Sequence, residues 1–147
     1  MEREAIVRVQ ASFDALKDQG AGLAEKFYVH FFRLEPKVRP LFPETLLLQQ
    51  AHFDAALAMI VRNLGELETL APSLRDLGAQ HLKWGAQPHF YFAARDALTA
   101  AICDAGNIAP DSELARDWRE AISTACSVML QGAAVETAVA SERLSES

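Results

Sequence analysis

His81 is the residue with the clearest chemical potential. It stands in Leu77-Gly78-Ala79-Gln80-His81-Leu82-Lys83-Trp84-Gly85 and breaks an otherwise apolar helical stripe, since Leu74, Leu77 and His81 fall at i, i+3 and i+7. An imidazole aimed into a core must find partners for its ring nitrogens, because an unpaired buried polar group costs about 1–3 kcal/mol. Metal ligation supplies one, neutral imidazole being the commonest protein metal ligand. Taken alone, the plainer reading is a core histidine bonded to a backbone carbonyl.

Two further polar groups share this setting. Gln49, Phe53, Ala56 and Leu57 fall at i, i+4, i+7 and i+8, a helical face that is apolar except at Gln49. Tyr28 is a phenol among Phe27, Phe31 and Phe32. A buried metal-centred cofactor with one protein ligand and a small polar pocket opposite would use the imidazole, the amide and the phenol together. Three helix-packing residues with local hydrogen bonds would also account for them.

The elements that must position these groups read as helices throughout. Alternating β-branched runs are missing, and glycine and proline cluster at breaks. The pattern predicts helices over 4–18 and 21–34, a short helical turn from Pro36 closed by Pro40-Leu41-Phe42-Pro43, and a long helix over 46–64. Pro72 is expected to open the helix carrying His81, which stops near Gly85, and Pro88 to open one running to Asp104. A last helix covers 112–137, followed by a small, polar tail that is expected to fray.

Composition narrows the function. At 147 residues with half of them hydrophobic, the chain can bury a full core as one domain. The net charge of −6 and singly scattered basic residues argue against a nucleic-acid partner. Cys103 and Cys126 lie far apart among apolar neighbours and read as small buried thiols of a reducing compartment. The polar N-terminus carries no signal peptide and no apolar run approaches a membrane span, so a soluble, cytoplasmic protein without a membrane partner is expected.

Longer segments carry a family resemblance. The stretch from Phe27-Tyr28 through Glu35-Pro36-Lys37-Val38-Arg39-Pro40-Leu41-Phe42 resembles the second and third helices of a globin, in particular those of bacterial single-domain haemoglobins and the globin half of flavohaemoglobins. In that family a Phe-Tyr pair is followed, fourteen residues after the tyrosine, by a phenylalanine that stacks on the haem; Tyr28 and Phe42 are fourteen apart. Residues 63–91 are similar to the family without gaps, through Leu70-Ala71-Pro72-Ser73-Leu74, Gln80-His81 and Pro88-His89-Phe90-Tyr91. Trp118 resembles a tryptophan early in the family's last helix, and the likeness extends over about residues 4–137.

The resemblance implies an all-α globin fold, a three-over-three helical sandwich forming a single domain around haem b. With no Cys-x-x-Cys-His run, the haem would be held without covalent attachment. His81 becomes the proximal iron ligand, with a backbone carbonyl one turn earlier fixing its tautomer. Leu77 would pack under the porphyrin, Phe42 would lie against its other face, and Tyr91 would line the proximal side. Tyr28 and Gln49 (32 residues before His81) become the distal pair that donates hydrogen bonds to a bound gas. Gln50 points about 100° away from that direction. Phe53, one turn beyond Gln49, would narrow the pocket. His52 and Lys83 are the expected contacts of the haem propionates; the alternative for His52 is a sixth iron ligand. Tyr91, Glu136 and His81 resemble a proximal hydrogen-bond set of flavohaemoglobins, and the alternative for Glu136 is a solvated carboxylate at the helix end. His30 and His89 are expected at the surface without a cofactor role.

The function this implies is reversible binding of dioxygen, nitric oxide or carbon monoxide at ferrous haem, with no catalytic residue assigned. Two alternatives stand beside it. One is a nitric-oxide dioxygenase that draws electrons from an external reductase; the other is a gas sensor acting through a partner. A monomer and a homodimer are equally compatible with the sequence.

Overall fold

The computed structural model describes residues 1–20 and 22–146, and the described residues contain helices and turns but no strand. The helices are α1 (Arg3–Asp18), α2 (Leu23–Leu34), α3 (Leu47–Arg62), α4 (Leu67–Lys83), α5 (Pro88–Gly106) and α6 (Glu113–Glu146). Two 3-10 segments, Pro36–Leu41 and Leu64–Glu66, make the connections around α3. The layers are α1, α3 and α4 over α2, α5 and α6. Within the second layer α5 lies between α2 and α6, and α4 packs along α6 from above.

Each helix follows from its apolar spacing. In α1 the buried residues Ala5, Val9, Phe13 and Leu16 recur every three to four positions. In α2 the inward face is Leu23, Ala24, Phe27, Tyr28 and Phe31. Pro36 opens the following 3-10 segment, where the proline's fixed φ and missing N–H cost nothing, and Val38 within it is driven fully into the core. α5 is capped by Asn107, which takes the left-handed conformation at φ 52° that closes a helix C-terminus.

Long-range polar contacts fix the layers. Trp118, with almost no solvent exposure, donates from Nε1 to Ser12 Oγ at 2.8 Å, tying α6 to α1. One turn away, Arg8 Nε meets the buried Asp117 carboxylate at 2.8 Å. His30 Nε2 lies 2.7 Å from Asp104 Oδ2, and His89 Nε2 lies 3.8 Å from Glu35 Oε2. These two histidines, expected to be idle at the surface, both bridge the α2 region to α5.

Three expectations need correction. Pro72 lies inside α4, which begins a turn earlier at Leu67, because burial of Leu70 and Leu74 extends the inward stripe backwards past the one hydrogen bond that the proline forfeits. The end does not fray after Thr137 but stays helical to Glu146; Ala138-Val139-Ala140 and the residues after them contain no glycine or proline to stop it. α6 also carries a stretch that is long and apolar enough, by length and composition, to cross a membrane. Its apolarity is in part that of a core helix, since Ala115, Trp118, Ala121, Ile122, Ala125 and Met129 are buried. The expected start of the second helix at Ala21 lies outside the described residues. Both cysteines are free thiols, Cys103 buried and Cys126 half-buried.

Candidate functional site

The placement of His81 starts with two glycines where a side chain would meet backbone. A Cβ on Gly78 of α4 would meet the main-chain carbonyl of Met129 on α6, and a Cβ on Gly132 of α6 would meet the main-chain carbonyl of Arg75 on α4. Backbone therefore rests on backbone where the helices cross, and α4 is pressed onto α6 one turn before His81. Leu74 is fully buried beside this crossing, in a cluster with Leu70, Tyr91, Ala125 and Met129 against which Leu77 packs.

His81 is held by its own helix. Its Nδ1 is 2.7 Å from the carbonyl oxygen of Leu77, so the protonated nitrogen donates there and Nε2 keeps its lone pair. Nε2 makes no hydrogen bond among the described residues. Burial pushes the imidazole's pKa below its ordinary value, and the bond to Leu77 opposes the shift. The neutral, Nδ1-protonated tautomer is thus selected. Trp84, 58% exposed, packs its ring 5.1 Å from the imidazole, and Tyr91 lies 6.3 Å away.

A second group of residues gathers around Tyr28. Its ring is buried, edge-on to Phe42 at 5.4 Å and 5.9 Å from Phe53. Phe53 itself stacks on Phe27 at 4.3 Å with the rings nearly parallel. Among the described residues the Tyr28 hydroxyl reaches the main-chain oxygen of Gln49 alone, at 3.5 Å, the outer limit of a hydrogen bond. Desolvation, with a smaller push from the Asp54 carboxylate, raises its pKa to about 12, so it remains a donor. Gln49 is half-buried, and its Oε1 is sealed from solvent with no partner. α3, which carries Gln49 and Phe53, packs on α2 and α1 and not along α4, and of its apolar residues only Leu57 and Val61 are buried.

The remaining sequence-predicted residues scatter. His52 is exposed and has no hydrogen bond or ion pair among the described residues. Lys83 is exposed too, and its Nζ lies 3.8 Å from Glu136 Oε1. Glu136 therefore pairs across the end of α4 and makes no hydrogen bond to Tyr91 or His81. The Tyr91 hydroxyl is sealed from solvent and unpaired, and burial, aided by the nearby Cys126, raises its pKa to about 12. Gly78, Gly132 and Trp84 are the positions around His81 that sequence reasoning missed. The two glycines were detectable, since a glycine inside a helix costs about 1 kcal/mol against alanine and calls for a reason.

These residues suit a planar, mostly apolar group with a metal at its centre. They offer one imidazole nitrogen with a free lone pair, aromatic and leucine side chains that are only half-buried, and a buried amide oxygen without a partner. A haem, the group that the likeness to globins implies, meets this donor set.

Comparison with known proteins agrees with the geometry. The globin family model matches residues 25–129. An anaerobic nitrite reductase of Oryza sativa subsp. japonica is 26% identical over 129 residues, covering 82% of this chain and 85% of the relative. A bacterial globin from Campylobacter jejuni superposes with a TM-score of 0.76 at 21% identity, over 95% of this chain and 99% of the other. An engineered carbene transferase derived from a candidate nitric oxide dioxygenase of Rhodothermus marinus superposes with a TM-score of 0.81 at 24% identity, over 96% and 99% of the two chains.

Proposed function

Because the chain belongs to the globin family, we propose that it binds haem b through His81 and there takes up a diatomic gas reversibly. One observation carries this reading: His81 Nδ1 is committed to the Leu77 carbonyl at 2.7 Å, which leaves Nε2 free to ligate. A bonded Nδ1–H also makes the imidazole a stronger electron donor and fixes its plane. When bound, the haem supplies an iron atom that coordinates dioxygen, nitric oxide or carbon monoxide.

The protein's own residues set what happens around that gas. Phe42 and Leu77 supply apolar surface for the ring, and Phe53, stacked on Phe27, limits the space beside Tyr28. Tyr28 and Gln49 act as donors. The Tyr28 hydroxyl is held only weakly at 3.5 Å, so it can turn to a better acceptor at little cost. A hydrogen bond to a partly charged gas is worth about 1.5–3 kcal/mol, enough to slow gas loss by about ten- to a hundredfold. With Lys83 engaged by Glu136, His52 is the less encumbered of the two residues named for the propionates.

Absorption spectra of the purified protein test the reading. The ferrous and ferric forms are expected to show haem bands that are lost or strongly weakened in His81→Ala; an unchanged spectrum in that variant overturns the assignment. A second reading, nitrogen-oxide chemistry at the same site, is favoured by the names of two relatives, the nitrite reductase and the candidate dioxygenase. It requires an external electron donor. Rapid mixing of the dioxygen-loaded ferrous protein with nitric oxide should then yield nitrate and ferric protein, and sustained turnover should require added reductase to restore the ferrous form.

A further inference from the structure

A small cavity of about 70 Å³ lies between α5 and α6, its lining apolar at the exposed Phe92 and at Leu130 and polar at Tyr91, Arg95, Ser123, Cys126 and Ser127. Its polar lining consists of groups that can donate, one of them, the Tyr91 hydroxyl, sealed from solvent. The Tyr91 hydroxyl is buried and has no partner, the residue being only 7% exposed. The hydroxyls of Ser123 and Ser127 make no hydrogen bond among the described residues, although Thr124 between them bonds back to its helix at the Glu120 carbonyl. Arg95 uses Nε toward Asp96 at 3.2 Å and rests its guanidinium over Phe92, and its two terminal nitrogens make no hydrogen bond among the described residues. Its charge is felt inside, since it pulls the Cys126 thiol downward while burial pushes that thiol up to about 11.

We propose that this cavity binds a small monovalent oxyanion of the nitrate, nitrite or formate class. Every polar group that lines it can donate, and a fully ionised acceptor satisfies them together. The charge balance agrees. Asp96 Oδ1 takes both Arg95 Nε and Arg119 Nη1, at 3.2 and 2.8 Å, so two guanidinium groups face one carboxylate and one positive charge remains over. The volume suits three or four heavy atoms and excludes a nucleotide or a sugar phosphate. Tyr91 joins the site to the His81 side of the fold, its ring lying 6.3 Å from the imidazole. The site itself does not depend on the haem reading.

Isothermal titration with sodium nitrate and sodium nitrite tests this on the purified protein, with or without haem; where haem is bound it is kept ferrous and saturated with carbon monoxide, which keeps the anions off the iron. Saturable single-site binding is expected, with bulkier phosphate binding much more weakly. Arg95→Gln should weaken nitrate by about ten- to a hundredfold, the range of a hydrogen bond to a charged partner. Tyr91→Phe and Ser123→Ala should each weaken it severalfold, with far-UV circular dichroism confirming that the variants are folded. No binding to the wild type, equal binding in all three variants, or phosphate binding as tightly as nitrate would overturn the proposal. The haem bands report separately on the gas-binding reading, so the two can fail independently.

Discussion

Replacing Gly78 by alanine sets two effects of opposite sign against each other. In a helix interior the change alone gains about 1 kcal/mol of propensity. Here the new methyl would land on the main-chain carbonyl of Met129, which no rotamer change can move aside. Overpacking costs about 1–3 kcal/mol, and a backbone obstacle places this case at the upper end. The net expectation is a loss of about 2 kcal/mol, or a Tm lower by about 4–8 °C for a chain of this size. Gly132→Ala meets the Arg75 carbonyl on the opposite side of the same crossing and should cost a similar amount. Once either methyl has pushed α4 off α6, the second meets less resistance, so the double variant should lose clearly less than the two single losses added together. Urea unfolding followed by circular dichroism measures all three, and haem titration reports whether His81 has moved with α4. A Gly78→Ala variant about 1 kcal/mol more stable than wild type would show that propensity wins and that the crossing is looser than described. Strict additivity would refute the shared displacement.

Other changes have equally definite outcomes. Ser12→Ala leaves the buried Trp118 N–H without its 2.8 Å acceptor and should cost about 1–3 kcal/mol in denaturant unfolding. Tyr28→Phe removes only a 3.5 Å bond to Gln49 and should hardly alter stability, yet should speed gas dissociation severalfold or more in stopped flow; an unchanged rate would refute the distal assignment. In a Tyr91→Phe background, tyrosinate absorbance should report Tyr28 ionising near pH 12 in the folded protein, against about 10 when unfolded. Between those values the unfolded chain binds fewer protons than the folded one, so Tyr28 makes stability fall as pH rises. His52→Ala should leave the ferrous spectrum of the holoprotein unchanged, since the exposed imidazole has no contact that directs it inward; a shift from six- to five-coordinate iron would show instead that it ligates.

Much of the fold was legible because helices announce themselves locally. The buried stripe of α1, the aromatic face of α2 and the prolines at 36 and 88 needed only spacing and backbone chemistry. The boundaries that sequence placed wrongly depended on distant partners: Pro72 looked like a helix start until the burial of Leu70 and Leu74 extended α4 past it. His30 and His89 looked idle because their carboxylate partners come from other parts of the chain. Glu136 had two readings of equal standing, and the turn of α6 that brings it within 3.8 Å of Lys83 supplied the ion pair it makes.

The sequence alone determined which groups could do chemistry. An imidazole, a phenol and an amide on apolar helical faces follow from residue order and a 3.6-residue period, because both are properties of single helices. Only the tertiary structure decided how those helices meet. The glycine crossing seats α4 on α6, Nδ1 of His81 bonds Leu77 and leaves Nε2 free, and Tyr28 lies among aromatic rings from α3 and from the turn after α2. Those relations join residues far apart in the chain, and packing and desolvation between elements, which no local pattern encodes, set them.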